Sequence, residues 1–509
     1  MCGKRVSASS GDALILPKDD ENTKDVLHRR PTFGTRHALV TWAFLGFAVM
    51  YILRVNMTIT LVAMTTNSSG MNLNLPNSSD CIYASTAESS NRNYTAEFDW
   101  SNTVQGFVLS AFYYGYFASQ IPASFLVRCF GGRTVLGISL MICSALSLLT
   151  PEAARFSVWA LICVRALQGC SQGLVFPSMQ LLLSKWAPSA ERSQMVAFTY
   201  SGCQAGTVVG ILVAGILCST NSLGWPSVFY IFGGAGILWA LGWLLFAHET
   251  PAHHPRITDS ERYFIESTVG RHPYQELQTP WRAILTSPAL YAIMGAHFAN
   301  DWGCFALMTC LPKFMKEVLN FDINENGILS SLPYLVMWIV NFVAGPLADH
   351  LRKPNRLSTA VVRKLMVSVG LFGPAVALLV TTYLPGCQRT LTVSLLTLAM
   401  GFSGFTIAGH SVNHLDIAPA FAAVLFALTN TVGTISGLIG PALVGVLTEK
   451  HETRSQWNIF FIVSGSIYSI GGLIFVLLAR GELQDWAKMK DLEASVSVLP
   501  SEYGSIQKG

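Results

Sequence analysis

Residues 37–63 read HALVTWAFLGFAVMYILRVNMTITLVA, and Arg54 is the one obligate charge among them. A helix of about 20 apolar residues crosses the hydrocarbon core of a bilayer. The run is therefore long enough to span, and it carries a guanidinium well inside. Working outward, comparable apolar segments begin near residues 103, 134, 157, 194 and 227, and again near 289, 327, 365, 391, 420 and 457. Composition agrees: the 509 residues are 51% hydrophobic and only 12% charged, against about 25% charged in soluble domains. The reading is an all-α membrane protein with twelve transmembrane helices as two six-helix bundles. Its parts are a cytosolic tail at 1–36, a bundle at 37–247 with a long loop at 65–102, a cytosolic linker at 248–288, a second bundle at 289–480 and a cytosolic tail at 481–509. The linker is polar and holds Pro251, Pro255, Pro273 and Pro280, which punctuate helices rather than continue them.

Loop charges set the orientation, since Lys and Arg concentrate on the cytosolic side. With the N-terminus in the cytosol, 24 of the 33 Lys and Arg residues fall on that side and seven on the other. The remaining two, Arg54 and Arg165, lie within spans. Three N-x-S/T sequons, at Asn67, Asn77 and Asn93, crowd the first outer loop and predict a glycosylated luminal or extracellular segment. No apolar signal segment precedes the first span. Most cysteines sit in apolar runs and none has metal-ligand spacing, so no metal is expected; Cys81 and Cys387, in outer loops, are candidates for a disulfide. A shift of 231 residues carries Gly173, Ala187, Pro188, Gly202 and Gly206 onto Gly404, Ala418, Pro419, Gly433 and Gly437. Two related halves follow, and transporters so built bind substrate between them near the midplane.

Six blocks carry a family likeness: Tyr51-Ile-Leu-Arg54-Val-Asn56; Tyr114-Gly-Tyr116 with Gln120-Ile-Pro122; Lys185-Trp-Ala-Pro188 with Glu191-Arg-Ser193; Glu325-Asn-Gly327-Ile-Leu-Ser-Ser-Leu-Pro333; Asn413-His414-Leu-Asp416-Ile-Ala-Pro419; and Gly481-Glu-Leu-Gln-Asp-Trp486. Through them, from about residue 37 to 487, the chain resembles the anion/cation symporter family of the major facilitator superfamily. That family contains sialin, the vesicular glutamate transporters and the type I sodium/phosphate transporters. The likeness implies the major facilitator fold, a small anionic substrate and a substrate-holding arginine at Arg54. Span 1 looks sialin-like, as does Asn324-Glu325-Asn326-Gly327. Span 4 departs: sialin-like proteins have glutamates at Gln168 and Gln172 and a histidine at Gln180. Those glutamines, and Gly224-Trp-Pro226, look instead like the sodium/phosphate branch. In span 7 sialin-like proteins have asparagine at Asp301, and vesicular glutamate transporters have arginine at Asn300.

An ionised group at bilayer depth is expensive, which makes it a functional candidate. The candidate substrate site is Arg54, Arg165, Gln168, Gln172, His297 and Asn300. Arginine suits an anion because its planar fork grips a carboxylate or phosphate and never deprotonates. Arg165, Gln168 and Gln172 are spaced i, i+3, i+7 and share a helical face; a plain interhelical hydrogen-bond network is the competing reading. Glutamine cannot titrate, so a coupling proton needs another carrier. Asp301 and His297, at i and i+4, are the coupling candidates, and a permanent ion pair of Asp301 with Arg54 or Arg165 is the alternative. Arg128 and Arg133 in the 2–3 loop, and Asp349 and Arg352 after span 8, are candidate gating residues, with cytosolic anchoring as the duller account. Tyr113, Tyr114 and Tyr116 line either a pathway or the packed core.

Phosphate-loop, nucleophile-elbow, zincin and dinucleotide motifs are absent from the sequence, so neither an enzyme nor ATP-driven transport is expected. A net charge of +4 offers nothing to nucleic acid. The functional expectation is a secondary transporter of small organic anions, sialic-acid-like sugars or other carboxylates, driven by protons or by membrane potential and without cofactor. Sodium-dependent phosphate cotransport is one alternative, and a non-transporting membrane receptor or scaffold is another. The C-terminal Tyr503-Gly-Ser-Ile506 fits a sorting-adaptor signal. With the likeness to sialin it favours a lysosomal or vesicular membrane over the plasma membrane.

Overall fold

The computed structural model describes residues 34–65, 97–188, 191–220, 222–269, 279–352, 357–384, 388–450 and 452–488. The three sequons, Cys81, Cys387 and the Tyr503–Ile506 signal lie outside them. Among the described residues, ten helical segments are long and apolar enough to cross a membrane. In chain order they are span 1 (Thr35–Met64), span 3 (Gly132–Phe156), span 4 (Val158–Trp186), span 5 (Gln194–Ser219), span 6 (Gly224–Phe246), span 8 (Ile323–Leu351), span 9 (Thr359–Tyr383), span 10 (Arg389–Ile417), span 11 (Val424–Leu447) and span 12 (Arg454–Leu478). Two further columns complete the bundles. Span 2, Asn102–Phe130, is a continuous helix whose polar positions (Gln105, Ser110, Ser119, Gln120) lower its hydropathy. Span 7 is interrupted: Pro288–Asp301 passes through a π-helical turn, Trp302–Leu307, into Met308–Glu317. Spans 4 and 10 also break, at Gly173-Leu174 and at the 3₁₀ segment Gly404–Ala408, which are the places equated by the 231-residue shift.

Local chemistry explains the ends. Ser101, Ser157, Asp322 and Ser358 precede spans 2, 4, 8 and 9, and each side chain accepts a hydrogen bond from an orphan N–H of the first turn. Pro288 opens span 7, where its missing N–H costs nothing.

The halves repeat as packed objects. In the first, span 1 packs on 5 and 6, span 2 on 4, and span 3 on 4 and 6; in the second, span 7 packs on 11 and 12, span 8 on 10, and span 9 on 10 and 12. The repeated glycines do the same work twice. A Cβ at Gly202 of span 5 would meet the Phe44 carbonyl of span 1, and one at Gly433 of span 11 would meet the Asp301 carboxyl of span 7. Outward-facing apolar side chains such as Trp159, Leu238 and Leu245 are more than two-thirds exposed, a surface suited to lipid rather than water.

The halves meet through spans 2 and 11 and through spans 5 and 8. At both crossings the approach is close at one end of the molecule. Ser110 Oγ donates to the Leu438 carbonyl at 3.0 Å, and Gly215 and Gly327 bring their Cα atoms together. The beginnings of spans 2 and 8 and the ends of spans 5 and 11 form this closed end.

At the opposite end the turn after span 2 is fastened within its own half. Glu249 accepts from the Gly132 and Arg133 N–H groups at 3.2 and 2.9 Å and from Lys185 Nζ at 2.6 Å. Arg133 donates to the Leu244 carbonyl, and Arg128 is exposed. Asp349 and Arg352 are 3.9 Å apart, the aspartate largely and the arginine about a third solvent-facing. Arg363 instead makes the tight contact of the second half, binding both oxygens of Asp416 at 2.7 and 3.3 Å.

Candidate functional site

Arg54 stands where span 1 faces spans 2, 4 and 7, and it is 3% exposed. Four aromatic faces surround its guanidinium: Tyr51 of its own span at 4.6 Å, Phe112 and Tyr116 of span 2 at 5.0 and 4.7 Å, and Phe305 of span 7 at 5.7 Å. The last belongs to the other half, so the site is assembled between halves. Nε of Arg54 donates to Gln172 Oε1 at 3.2 Å. Its two terminal nitrogens have no hydrogen-bond partner.

Arg165 also lies over the Phe112 ring, 5.2 Å from its centre. It donates to Gln168 Oε1 at 2.9 Å and to the Arg54 carbonyl at 3.4 Å, and its Nε is unpartnered. The glutamines are held in turn: Gln168 donates to Thr150 at 3.2 Å, and Gln172 to the Met50 carbonyl at 3.0 Å. A guanidinium only donates, so each amide must turn its oxygen to the arginine. Gln168 and Gln172 thus aim the cations, and the shared face read from their spacing is realised.

No carboxylate among the described residues lies within ion-pair distance of either arginine. Asp301 is the nearest candidate by position, and it does not pair with them. Its ion-pair neighbour is His297 Nε2, 3.4 Å from Oδ2, on the same helix. The expected alternative of a permanent Asp301–arginine bridge is corrected accordingly. A spacing of i, i+4 puts His297 and Asp301 on one face, and the phase of span 7 turns that face toward spans 10 and 11. There His297 is joined by His410 and His414, with ring centres 5.1 and 6.3 Å away. Asn300 sits one residue before, its Oδ1 accepting from Thr406 of span 10 at 2.7 Å. It is part of this second-half cluster rather than of the arginine cage.

Of the three tyrosines in span 2, Tyr113 and Tyr116 point inward and Tyr114 is 49% exposed, as the helical period requires. Sequence reasoning passed over Tyr51, Phe112 and Phe305, because aromatics in apolar runs look like core. It took His414 only as part of a family block and missed Thr429, the partner that His414 shares with His297. Among the described residues no cluster of His, Cys, Asp and Glu could hold a metal ion.

Comparison with known proteins places this geometry. The Major Facilitator Superfamily model matches residues 43–441 and 296–498. Sialin of Homo sapiens is 39% identical over 89% of this chain and 91% of its own length. A putative inorganic phosphate cotransporter of Drosophila melanogaster is 36% identical over 96% and 95%. Vesicular glutamate transporter 1 of Bos taurus is 37% identical over 90% and 79%. Among solved structures, a bacterial homologue of the lysosomal transporter Spinster superposes with a TM-score of 0.65 at 14% identity, covering 87% of this chain and 98% of that one. A D-xylose–proton symporter gives 0.60, also at 14% identity, covering 87% and 98%; at such identity these show the fold alone. Twelve columns in two repeated halves, a cationic cage between them and full-length relatives of this kind leave one assignment: the chain is a multi-pass membrane protein of the Major Facilitator Superfamily.

Proposed function

We propose that the chain is a secondary transporter of small organic anions, acidic sugars of the sialic-acid kind or other carboxylates, working by alternating access. One observation carries the reading. Two guanidinium groups are buried side by side, Arg54 against the second half, they keep unpartnered N–H donors, and no carboxylate among the described residues neutralises them. Burying an unpaired cation costs several kcal/mol, which a scaffold has no reason to bear. An anion entering the cage satisfies the donors and the charge together. The names of the relatives, sialin and the vesicular glutamate transporters, agree with that chemistry.

With the N-terminus in the cytosol, the closed end faces outward and the cage opens toward the cytosol. Asp301 with His297 is the coupling pair, because span 4 offers only glutamines that cannot titrate. Arg128, Arg133, Asp349 and Arg352 act as gating residues in the conformation that closes the cytosolic end. The membrane is lysosomal or vesicular, with the sequon-bearing loop in the lumen. Sodium-driven phosphate transport is the second reading, favoured by Gln168 and Gln172 and by the putative phosphate cotransporter among the relatives.

The test is uptake of labelled sialic acid, glutamate, urate and phosphate into proteoliposomes, with pH gradient, sodium gradient and membrane potential imposed separately. Accumulation of a carboxylate is expected to follow the pH gradient. In Asp301→Asn the response to the gradient should vanish while exchange at equal pH continues. A variant that still follows the gradient would remove Asp301 from coupling, and accumulation of phosphate alone, with sodium, would select the second reading.

A further inference from the structure

The hydrogen bonds behind His297 fix which of its nitrogens carries the proton. The chain of contacts begins at the Ser411 carbonyl, which can only accept; His414 Nδ1, 3.1 Å away, must therefore be the N–H of that ring. In the neutral ring His414 Nε2 is then a lone pair, 2.9 Å from Thr429 Oγ1. The Thr429 hydroxyl has one hydrogen, and this lone pair is a closer acceptor than the Phe426 carbonyl at 3.2 Å. With that hydrogen used, Thr429 Oγ1 accepts from His297 Nδ1, also at 2.9 Å. The remaining nitrogen, His297 Nε2, is thus an unprotonated lone pair. It faces Asp301 Oδ2 at 3.4 Å, and that oxygen has no hydrogen-bond partner.

Two lone pairs facing each other in a dry interior repel, and one proton between them turns repulsion into a charge-assisted hydrogen bond. We propose that Asp301 Oδ2 and His297 Nε2 form a one-proton site whose demand for that proton is set by the wire Thr429–His414–Ser411. Asp301 and His297 share the bound proton, and Thr429 and His414 are positioning residues that act through the His297 tautomer. On binding, a proton from solvent adds one positive charge to the pair; on release the same proton returns to solvent and the pair regains its negative charge. Nothing else is consumed.

The groups that face the pair are few. Arg54 of span 1 acts on Asp301 through space, and the carboxylate in turn acts on Cys304 of span 7 and Tyr468 of span 12. His410 and His414 of span 10 face His297. Span 11 contributes Thr429 and the Gly433 backbone, neither of which titrates. The role of this site in transport rests on the reading of the chain as an anion transporter; its existence as a proton site does not.

Infrared difference spectra of the ligand-free full chain in lipid, recorded against pH, test the site without any substrate. The carboxylic-acid C=O band of wild type is expected to disappear in Asp301→Asn. Thr429→Val keeps the side-chain volume but breaks the wire, so His297 can turn an N–H toward the carboxylate with no added proton. The band should then titrate about one pH unit lower, the scale of one hydrogen bond, and Thr429→Ser, which keeps the hydroxyl, should restore the wild-type midpoint. A band that survives in Asp301→Asn overturns the proton site. An unshifted midpoint in Thr429→Val, with the site intact, overturns the wire. Failure of every anion to be taken up would instead sink the transport reading and leave the spectra unchanged.

Discussion

Arg54→Met should lower the apparent affinity for the transported anion by roughly 10²–10⁴-fold, with no loss of thermal stability. The anion's two hydrogen bonds to the free terminal nitrogens are charge-assisted, worth about 1.5–3 kcal/mol each. Every 1.4 kcal/mol is about a factor of ten, which gives the range. The stability expectation has the opposite sign from that for most buried residues. In the empty protein the guanidinium is desolvated and donates only its Nε, to Gln172. Cation–π contacts with Tyr51, Phe112, Tyr116 and Phe305 offset part of the cost, about 2 kcal/mol for a desolvated pair. Methionine fills the same space without a charge to desolvate, so the melting temperature of the empty variant should equal or exceed wild type. Bound anion should raise the melting temperature of wild type and leave the variant's unmoved. Arg54→Lys, which keeps the charge but loses the planar fork, should fall between. Uptake within tenfold of wild type in Arg54→Met, with normal insertion, would show that the anion binds elsewhere.

The parts of this site that were legible in the sequence are those that violate a local rule. An arginine inside HALVTWAFLGFAVMYILRVNMTITLVA is conspicuous because bilayer-depth charges are rare, and Arg165 stands out for the same reason. Span positions were equally readable, because apolar runs of membrane length announce themselves whatever packs against them. What sequence spacing cannot supply is azimuth within a bundle. The i, i+4 relation of His297 and Asp301 fixes one face of span 7 but not what that face meets, so an arginine partner for Asp301 stayed open as an alternative where histidines stand. Gln172 serves Arg54 from 118 residues away, a pairing that exists only once spans 1 and 4 are side by side. Thr429 joins two histidines from two other spans, and a lone threonine in an apolar helix carries no signal at all. Charge counting likewise says nothing of burial: Lys313 and Lys316 lie on the last helical segment of span 7, and Lys313 is only 6% exposed.

That buried lysine carries the second large expectation: Lys313→Met should unlock the closed end and shift its equilibrium toward opening by about 100-fold. Lys313 Nζ has three donors and three acceptors around it: Asn102 Oδ1 at 2.9 Å, Glu317 Oε1 at 3.3 Å and Thr448 Oγ1 at 3.5 Å. Asn102 belongs to the first half; Glu317 and Thr448 belong to the second. Asn102 ties the halves again, donating to the Thr448 carbonyl at 2.8 Å and to Glu452 at 2.9 Å. Without the ammonium, Glu317 is a buried carboxylate left with one hydrogen bond, from Trp457 at 3.0 Å. Stranding one member of a buried pair costs about 3–5 kcal/mol, and opening the end lets water reach it, so most of that cost moves the closed–open balance. Thr309→Cys supplies the readout, because Thr309 is 3% exposed and lies against Tyr113 across the interface, hydroxyls 3.4 Å apart. A membrane-impermeant thiol reagent added from outside should leave that cysteine unmodified in the otherwise native chain and label it about 100-fold faster with Lys313→Met. Removing both charges, as Lys313→Met with Glu317→Leu, leaves no charge stranded, though Asn102 Oδ1 and Trp457 Nε1 each lose a partner, and should bring labelling most of the way back, a coupling of about 2–3 kcal/mol. Equal labelling in the single and double variants would show that the Lys313–Glu317 charge pair does not govern the closed end, and that the close helix crossings at Gly215 and Gly327 hold it instead.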